Sequence, residues 1–363
     1  MANESATAAE RPRIDVLKIR IFSSHNVHVP EWRPASTRPF FPGIYLFAMV
    51  CGKLQHSNML QIQGGHLAES SNRFGLSVAL ATPFRSDFTI DYEKWAAHAG
   101  WCLEHGCDTV TLFGTTGEGP SLSARERQDA YSAFKVSGIA GRKLVAATIA
   151  NSAGDATEQI VAAYEAGARS VLLAPPSYFK GVTADGAIGW LADVIGALGS
   201  DARDIILYNI PSLTGITLSN EIVSALRTEF GPAIAGVKDS GCNWPMTQSL
   251  IMAHGDIDIL VGDERDLAKA VRSGAAGSIC GLANAFPEIM AEVARGSENR
   301  YVTELVNVID ETGLVIPSLK ALIAETTGDE EWSAVRPPLA RLTADIQTKL
   351  VKQMKGLKRM RAA

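Results

Sequence analysis

From Gly75 onward the chain alternates between two patterns. Short apolar runs at residues 76–82, 109–114, 144–149, 170–174, 205–210, 233–238, 257–262 and 277–281 are each followed by a stretch with the period of an amphipathic helix. The runs are nearly continuously apolar rather than alternating, which predicts parallel strands covered on both faces. Glu104-His105-Gly106, Glu165-Ala166-Gly167 and Arg272-Ser273-Gly274 each precede a run by a few residues. A glycine just past a helix end accepts the left-handed conformation that turns the chain back. Helix starts are marked by Ser123 with Glu126, a capping box, and by Asp155 and Ser219 as caps. Eight such β/α units in one stretch predict a closed (β/α)8 TIM barrel over residues 72–299. A doubly wound sheet is disfavoured, because no G-x-G-x-x-G follows a strand. Residues 300–363 read as helices packed on the barrel, at 301–325 and 338–361, with Pro317 bending the first.

Residues 1–71 lack this rhythm. They hold no sustained period and include an irregular stretch, residues 27–39, rich in Trp, Pro and His. The segment reads as a poorly ordered extension outside the barrel. Three origins stand open: an organelle transit peptide, a docking arm, or upstream sequence translated from a start placed too early. Its acidic residues count against the first.

Composition narrows the function classes. The net charge is −5 and the pI about 5.9, and residues 72–363 hold 27 Lys and Arg against 34 Asp and Glu, a net of −7. Neither nucleic acid nor an anionic membrane surface is expected as a partner, since both need a basic stripe. No stretch reaches the roughly 18 apolar residues of a spanning helix; residues 40–52 come nearest and are interrupted by Pro42 and Gly43. Five cysteines (Cys51, Cys102, Cys107, Cys242, Cys280) form no C-x-x-C pair and no zinc spacing. They predict reduced, mostly buried thiols in a cytoplasmic protein.

In a barrel of this kind active sites form at the C-terminal ends of the strands. Four such ends carry chemistry: Gly114-Thr115-Thr116-Gly117-Glu118-Gly119, Pro175-Pro176-Ser177-Tyr178, Tyr208-Asn209-Ile210-Pro211 and Gly236-Val237-Lys238-Asp239. Lys238 ends an otherwise apolar strand. Apolar surroundings disfavour an ammonium ion, and a neutral amine attacks a ketone to form an imine. Tyr208 lies one β/α unit earlier, so its phenol should neighbour the lysine and could carry protons. The glycine-rich turn exposes backbone N–H groups suited to a carboxylate. Taken singly, each has a plainer reading: a lysine reaching into water, a core tyrosine, a tight turn. Their coincidence at neighbouring strand ends carries the functional reading.

These segments resemble the signatures of the dihydrodipicolinate synthase and N-acetylneuraminate lyase superfamily, in order and spacing, from about Phe74 to the C-terminal helices. The resemblance implies a Schiff base on Lys238, Tyr208 as acid/base, Thr115 in a proton relay, and Thr116 with Gly117 at the pyruvate carboxylate. It places Ile279 near the pyruvate and sends Tyr178 into a neighbouring subunit's relay. A homo-oligomer built as a dimer of dimers is implied, using pyruvate and an aldehyde, with no cofactor or metal. One position departs from the synthase pattern: Leu213 stands where an arginine would grip the second substrate's carboxylate. Leucine cannot make that bond. The expected activity is therefore a pyruvate-dependent class I aldolase or lyase on a 2-keto-3-deoxy or 4-hydroxy-2-keto acid. The alternatives are a dihydrodipicolinate synthase, a sugar-acid dehydratase, and a non-catalytic keto-acid-binding relative.

Three features are set aside. His98 and His105, seven apart, read as a surface stripe. Gly262-Asp263-Glu264 reads as a solvated strand end with helix-capping carboxylates. The basic run at 349–361 reads as a solvated helix face. Mass spectrometry of the natural N-terminus tests the reading of residues 1–71. A protein starting near Met59 or later matches the misplaced start and excludes a docking arm; a start near Met1 excludes the misplaced start.

Overall fold

The computed structural model describes residues 73–362, with side chains to residue 356; the expected extension at 1–71 lies outside them. Eight parallel strands close into a barrel in sequence order. The first half runs β1 (Gly75–Ala79), α1 (Tyr92–Glu104), β2 (Thr109–Leu112), α2 (Ala124–Val136), β3 (Leu144–Thr148), α3 (Ala153–Glu165), β4 (Ser170–Leu173) and α4 (Ala184–Ala197). The second half runs β5 (Ile205–Asn209), a single turn α5 (Pro211–Thr214), α6 (Asn220–Phe230), β6 (Ile234–Asp239), α7 (Trp244–His254), β7 (Asp258–Val261), α8 (Glu264–Arg272), β8 (Gly277–Cys280) and α9 (Pro287–Ala294). Three helices follow: α10 (Arg300–Glu311), α11 (Val315–Thr327) and α12 (Ala344–Ala362). No helix among the described residues is long and apolar enough to cross a membrane.

The continuous apolar runs have a simple cause. Alternate side chains of each strand face opposite sides, and here both sides are dry. Val171 and Leu173 pack in the layer shared with the helices, while Leu172 joins Val145, Ala147, Ile206, Tyr208, Leu260 and Ile279 in the lumen. The barrel seam lies between β1 and β8, where Gly75 opposes Gly277. A Cβ on Gly277 would stand 1.9 Å from the Gly75 carbonyl oxygen, at a φ of +150°. Only glycine allows that approach.

Ser123 caps α2 in a full capping box with Glu126, and Ser219 caps α6. The cap of α3 differs from expectation. Ser152 accepts from the Asp155 amide, so Asp155 lies in the first turn rather than at the cap. Its carboxylate still favours that positive helix end. The C-terminal region also differs. Pro317 bends nothing: the chain breaks earlier, at Gly313 with φ +66°, and Pro317 sits in the first turn of α11, where its missing N–H is harmless. The last helix begins at Ala344 rather than 338, after Pro337 and Pro338.

A lumen cavity tests this packing. Leu172→Ala removes a fully buried side chain and is expected to lower unfolding stability in urea by about 2–5 kcal/mol. A loss below about 1 kcal/mol would mean that the lumen is not close-packed.

Candidate active site

Tyr208 and Lys238 are register partners across β5 and β6. Parallel register gives partners the same facing, so both side chains enter the lumen at its C-terminal mouth. Lys238 Nζ donates to Tyr208 Oη at 3.3 Å, and the Tyr208 hydroxyl meets Thr115 Oγ1 at 3.5 Å. The amine, the phenol and the threonine hydroxyl thus form one chain from β6 through β5 to the loop after β2. Lys238 and Tyr208 are buried, and Thr115 and Thr116 are half-buried.

The loop after β2 is held by close backbone contacts. Phe113 and Glu118 adopt positive φ, at +61° and +53°. A Cβ on Gly117 would come within 2.6 Å of the Leu80 carbonyl oxygen, and one on Gly119 within 1.7 Å of that of Phe113. Thr82 Oγ1 donates to the Gly117 carbonyl at 2.6 Å. Thr116 lies against the end of β8, where a Cβ on Gly281 would be 3.5 Å from its hydroxyl. Ile279 is fully buried in the same lumen cluster as Tyr208.

Tyr178 and Leu213 do not join this group within the chain. Tyr178 is 75 % exposed and packs edge-to-face on Phe179, itself 72 % exposed. Its loop is pinned by Asn151, whose Oδ1 accepts from the amides of Ser177 and Tyr178 at 2.9 Å. Leu213 is 52 % exposed on α5. Lys180 reaches that turn instead, donating to the carbonyls of Ser177, Leu213 and Thr214.

Two supports escaped the sequence reading. Asp239, next to the lysine, is buried and fully bonded: it accepts from Asn209 Nδ2 at 2.7 Å, Thr247 Oγ1 at 2.6 Å and the Gly241 amide at 2.9 Å. Asn209 in turn accepts from the Leu218 amide. The ends of β5 and β6 are thereby locked together. Glu264 is the other. Asp263 caps α8 as expected, but Glu264 turns to the amides of Gly281 and Leu282, at 3.2 and 3.1 Å. Burial raises its carboxyl above the usual range, while the Leu282 amide and the Lys238 charge pull it back. The expected surface stripe is also corrected. His98 is buried between Trp101 and Trp332, and desolvation lowers it to about 4.

The dihydrodipicolinate synthetase family model matches residues 72–357. The chain belongs to that family. It is 32% identical over 286 residues to a DapA-like lyase of Chloroflexus aurantiacus, covering 74% of this chain and 92% of the relative. It is 30% identical over 297 residues to the 4-hydroxy-tetrahydrodipicolinate synthase of Cellvibrio japonicus, covering 78% and 99%. Among solved structures, the dihydrodipicolinate synthase of Agrobacterium tumefaciens C58 superposes with a TM-score of 0.77 at 45% identity, over 78% of this chain and 99% of that one. The 2-keto-3-deoxygluconate aldolase of Sulfolobus solfataricus shares the fold, with a TM-score of 0.68 at 21% identity, over 79% and 97%.

The lock beside the lysine generates a prediction. Asp239→Ala leaves Asn209, Thr247 and the Gly241 amide without their acceptor and is expected to lower stability by about 2–4 kcal/mol in denaturant unfolding. Wild-type stability would contradict the assignment.

Proposed function

We propose that this family member is a lyase of the class I aldolase type, forming a Schiff base between Lys238 and pyruvate and acting on a 2-keto-3-deoxy or 4-hydroxy-2-keto acid. The supporting observation is the chain of groups from Lys238 Nζ to Tyr208 Oη to Thr115 Oγ1, at 3.3 and 3.5 Å. The amine adds to C2 of pyruvate and gives up one proton to the C2 oxygen, which takes up a second proton and leaves as water, so that the C2–O bond is replaced by the C2–N iminium. Tyr208 carries that proton at the C2 oxygen, and Thr115 passes it on. The iminium then draws electrons from C3. Loss of a C3 proton gives an enamine, whose C3 bonds to the aldehyde carbon as the aldehyde oxygen is protonated. Water hydrolyses the iminium and returns the amine; cleavage runs the same steps backwards. The pyruvate carboxylate is assigned to Thr116 and Gly117, and Ile279 forms the apolar wall beside it. The exposed Tyr178 is assigned to the site of a second copy of the chain in a homo-oligomer, and the protein to the cytoplasm.

A second reading keeps the imine and changes the partner. The 45% identity to a dihydrodipicolinate synthase favours aspartate semialdehyde as the aldehyde; Leu213, which offers no cation to its carboxylate, counts against it. Two experiments test these readings. Turnover of 2-keto-3-deoxy and 4-hydroxy-2-keto acids is expected in the wild type, absent in Lys238→Ala and lowered by about 10²–10⁴ in Tyr208→Phe. Turnover retained by folded Lys238→Ala would overturn the proposal. Saturable condensation of pyruvate with aspartate semialdehyde would instead establish the synthase.

A further inference from the structure

Glu118 lies on the loop that carries Thr115 and Thr116, and its side chain is fully buried. So is Lys320 on α11, 202 residues away, whose Nζ donates to Glu118 Oε1 at 2.6 Å. This buried lysine–carboxylate pair has no part in the chemistry above, and its geometry is closed. The second carboxylate oxygen accepts the Arg336 amide at 2.9 Å. Lys320 Nζ also donates to the Thr82 carbonyl at 2.9 Å, and Thr82 Oγ1 donates to the Gly117 carbonyl at 2.6 Å. Both cations lie against the Phe84 ring, at 4.5 and 4.6 Å from its centre. The Arg336 guanidinium reaches past Glu118 to the Ser121 carbonyl and to Glu126, in the first turn of α2.

We propose that Glu118, Lys320 and Arg336 are positioning residues, through which the segment after the barrel holds the Thr115–Thr116 loop in its pyruvate-binding shape. Three observations carry this. Glu118 sits in the left-handed region at φ +53°, a conformation that a non-glycine residue keeps only when its surroundings impose it. The network grips the loop at three points: the Gly117 carbonyl, the Glu118 carboxylate and the Ser121 carbonyl. The same helix also comes near the loop through Gly281, because a Cβ there would meet Leu319 at 2.6 Å and the Thr116 hydroxyl at 3.5 Å. Burial pulls the Lys320 ammonium down to about 8 while Glu118 pulls the other way. Removing one leaves an unpaired buried charge. The nearest way to satisfy it is to open the loop to water, which displaces Thr116.

The inference rests on the carboxylate site proposed above, and the test separates the two. The full chain is incubated with increasing pyruvate and borohydride, and the trapped adduct is followed by intact mass. The variants are Glu118→Gln, Lys320→Met, the double variant and Leu305→Ala, which opens a cavity in α10 away from the loop. Each single loop variant is expected to raise half-saturating pyruvate by about 10–100-fold while the limiting trapping rate changes far less. The double variant is expected to fall short of the product of the two singles. Leu305→Ala is expected to lose stability without shifting half-saturation. Glu118→Gln keeps the side-chain shape and one of the two acceptor oxygens while removing the charge, so it carries the test where Lys320→Met does not fold. Half-saturation within twofold of wild type in folded Glu118→Gln, or an equal shift in Leu305→Ala, overturns the positioning role alone. A wild type that forms no adduct overturns the pyruvate site itself and this inference with it.

Discussion

Closure of the barrel is the constraint from which the site follows. Neighbouring parallel strands with both faces buried have their side-chain parity fixed: a residue that faces the lumen on one strand has a register partner that faces it on the next. Tyr208 and Lys238 are such partners, so phenol and amine meet because the ring is closed in this register. A one-residue slip of either strand would turn its own member of the pair into the helix layer, where Val237 and Leu207 now pack, and so part the two. The hydrogen bonds of Asp239 with Asn209, Thr247 and the Gly241 amide hold that register at the mouth, where the ladder ends and slippage would be least opposed.

The third group of the site does not come from strand register. Thr115 and Thr116 sit on a loop whose shape depends on two left-handed residues and two glycines with no room for a Cβ. Such a loop needs support from outside the barrel. The buried Glu118–Lys320 pair supplies it from α11, and Glu264 secures the neighbouring end of β8. The helices after the barrel are thus part of the construction of its mouth.

The barrel and the central pair were legible in the sequence because their signals are local or periodic. Each strand is an apolar run, each return is marked by a glycine, and Tyr208 and Lys238 fall 30 residues apart at two successive strand ends. The supports were not legible, since they depend on partners remote in sequence. Lys320 reads as one more helix lysine until Glu118 is beside it, and His98 reads as surface until Trp332 covers it. Local competition explains the smaller differences. Ser152 and Asp155 both suit a cap, and only the backbone decides which one takes it. Gly313 ended the helix before Pro317 could bend it. At β1 the apolar run outlasts the strand, which ends at Ala79, although Leu80 still donates to the Thr111 carbonyl.

The central claim is that this lysine, among all those in the chain, becomes covalently bonded to a keto acid. Borohydride reduction in the presence of pyruvate, followed by peptide mass spectrometry, tests it at the level of the residue. The account predicts a reduced pyruvyl adduct on the peptide containing Lys238 and on no other. An adduct on a different lysine, or none on folded protein with pyruvate or longer 2-keto acids, would contradict it and leave a barrel that binds without forming an imine.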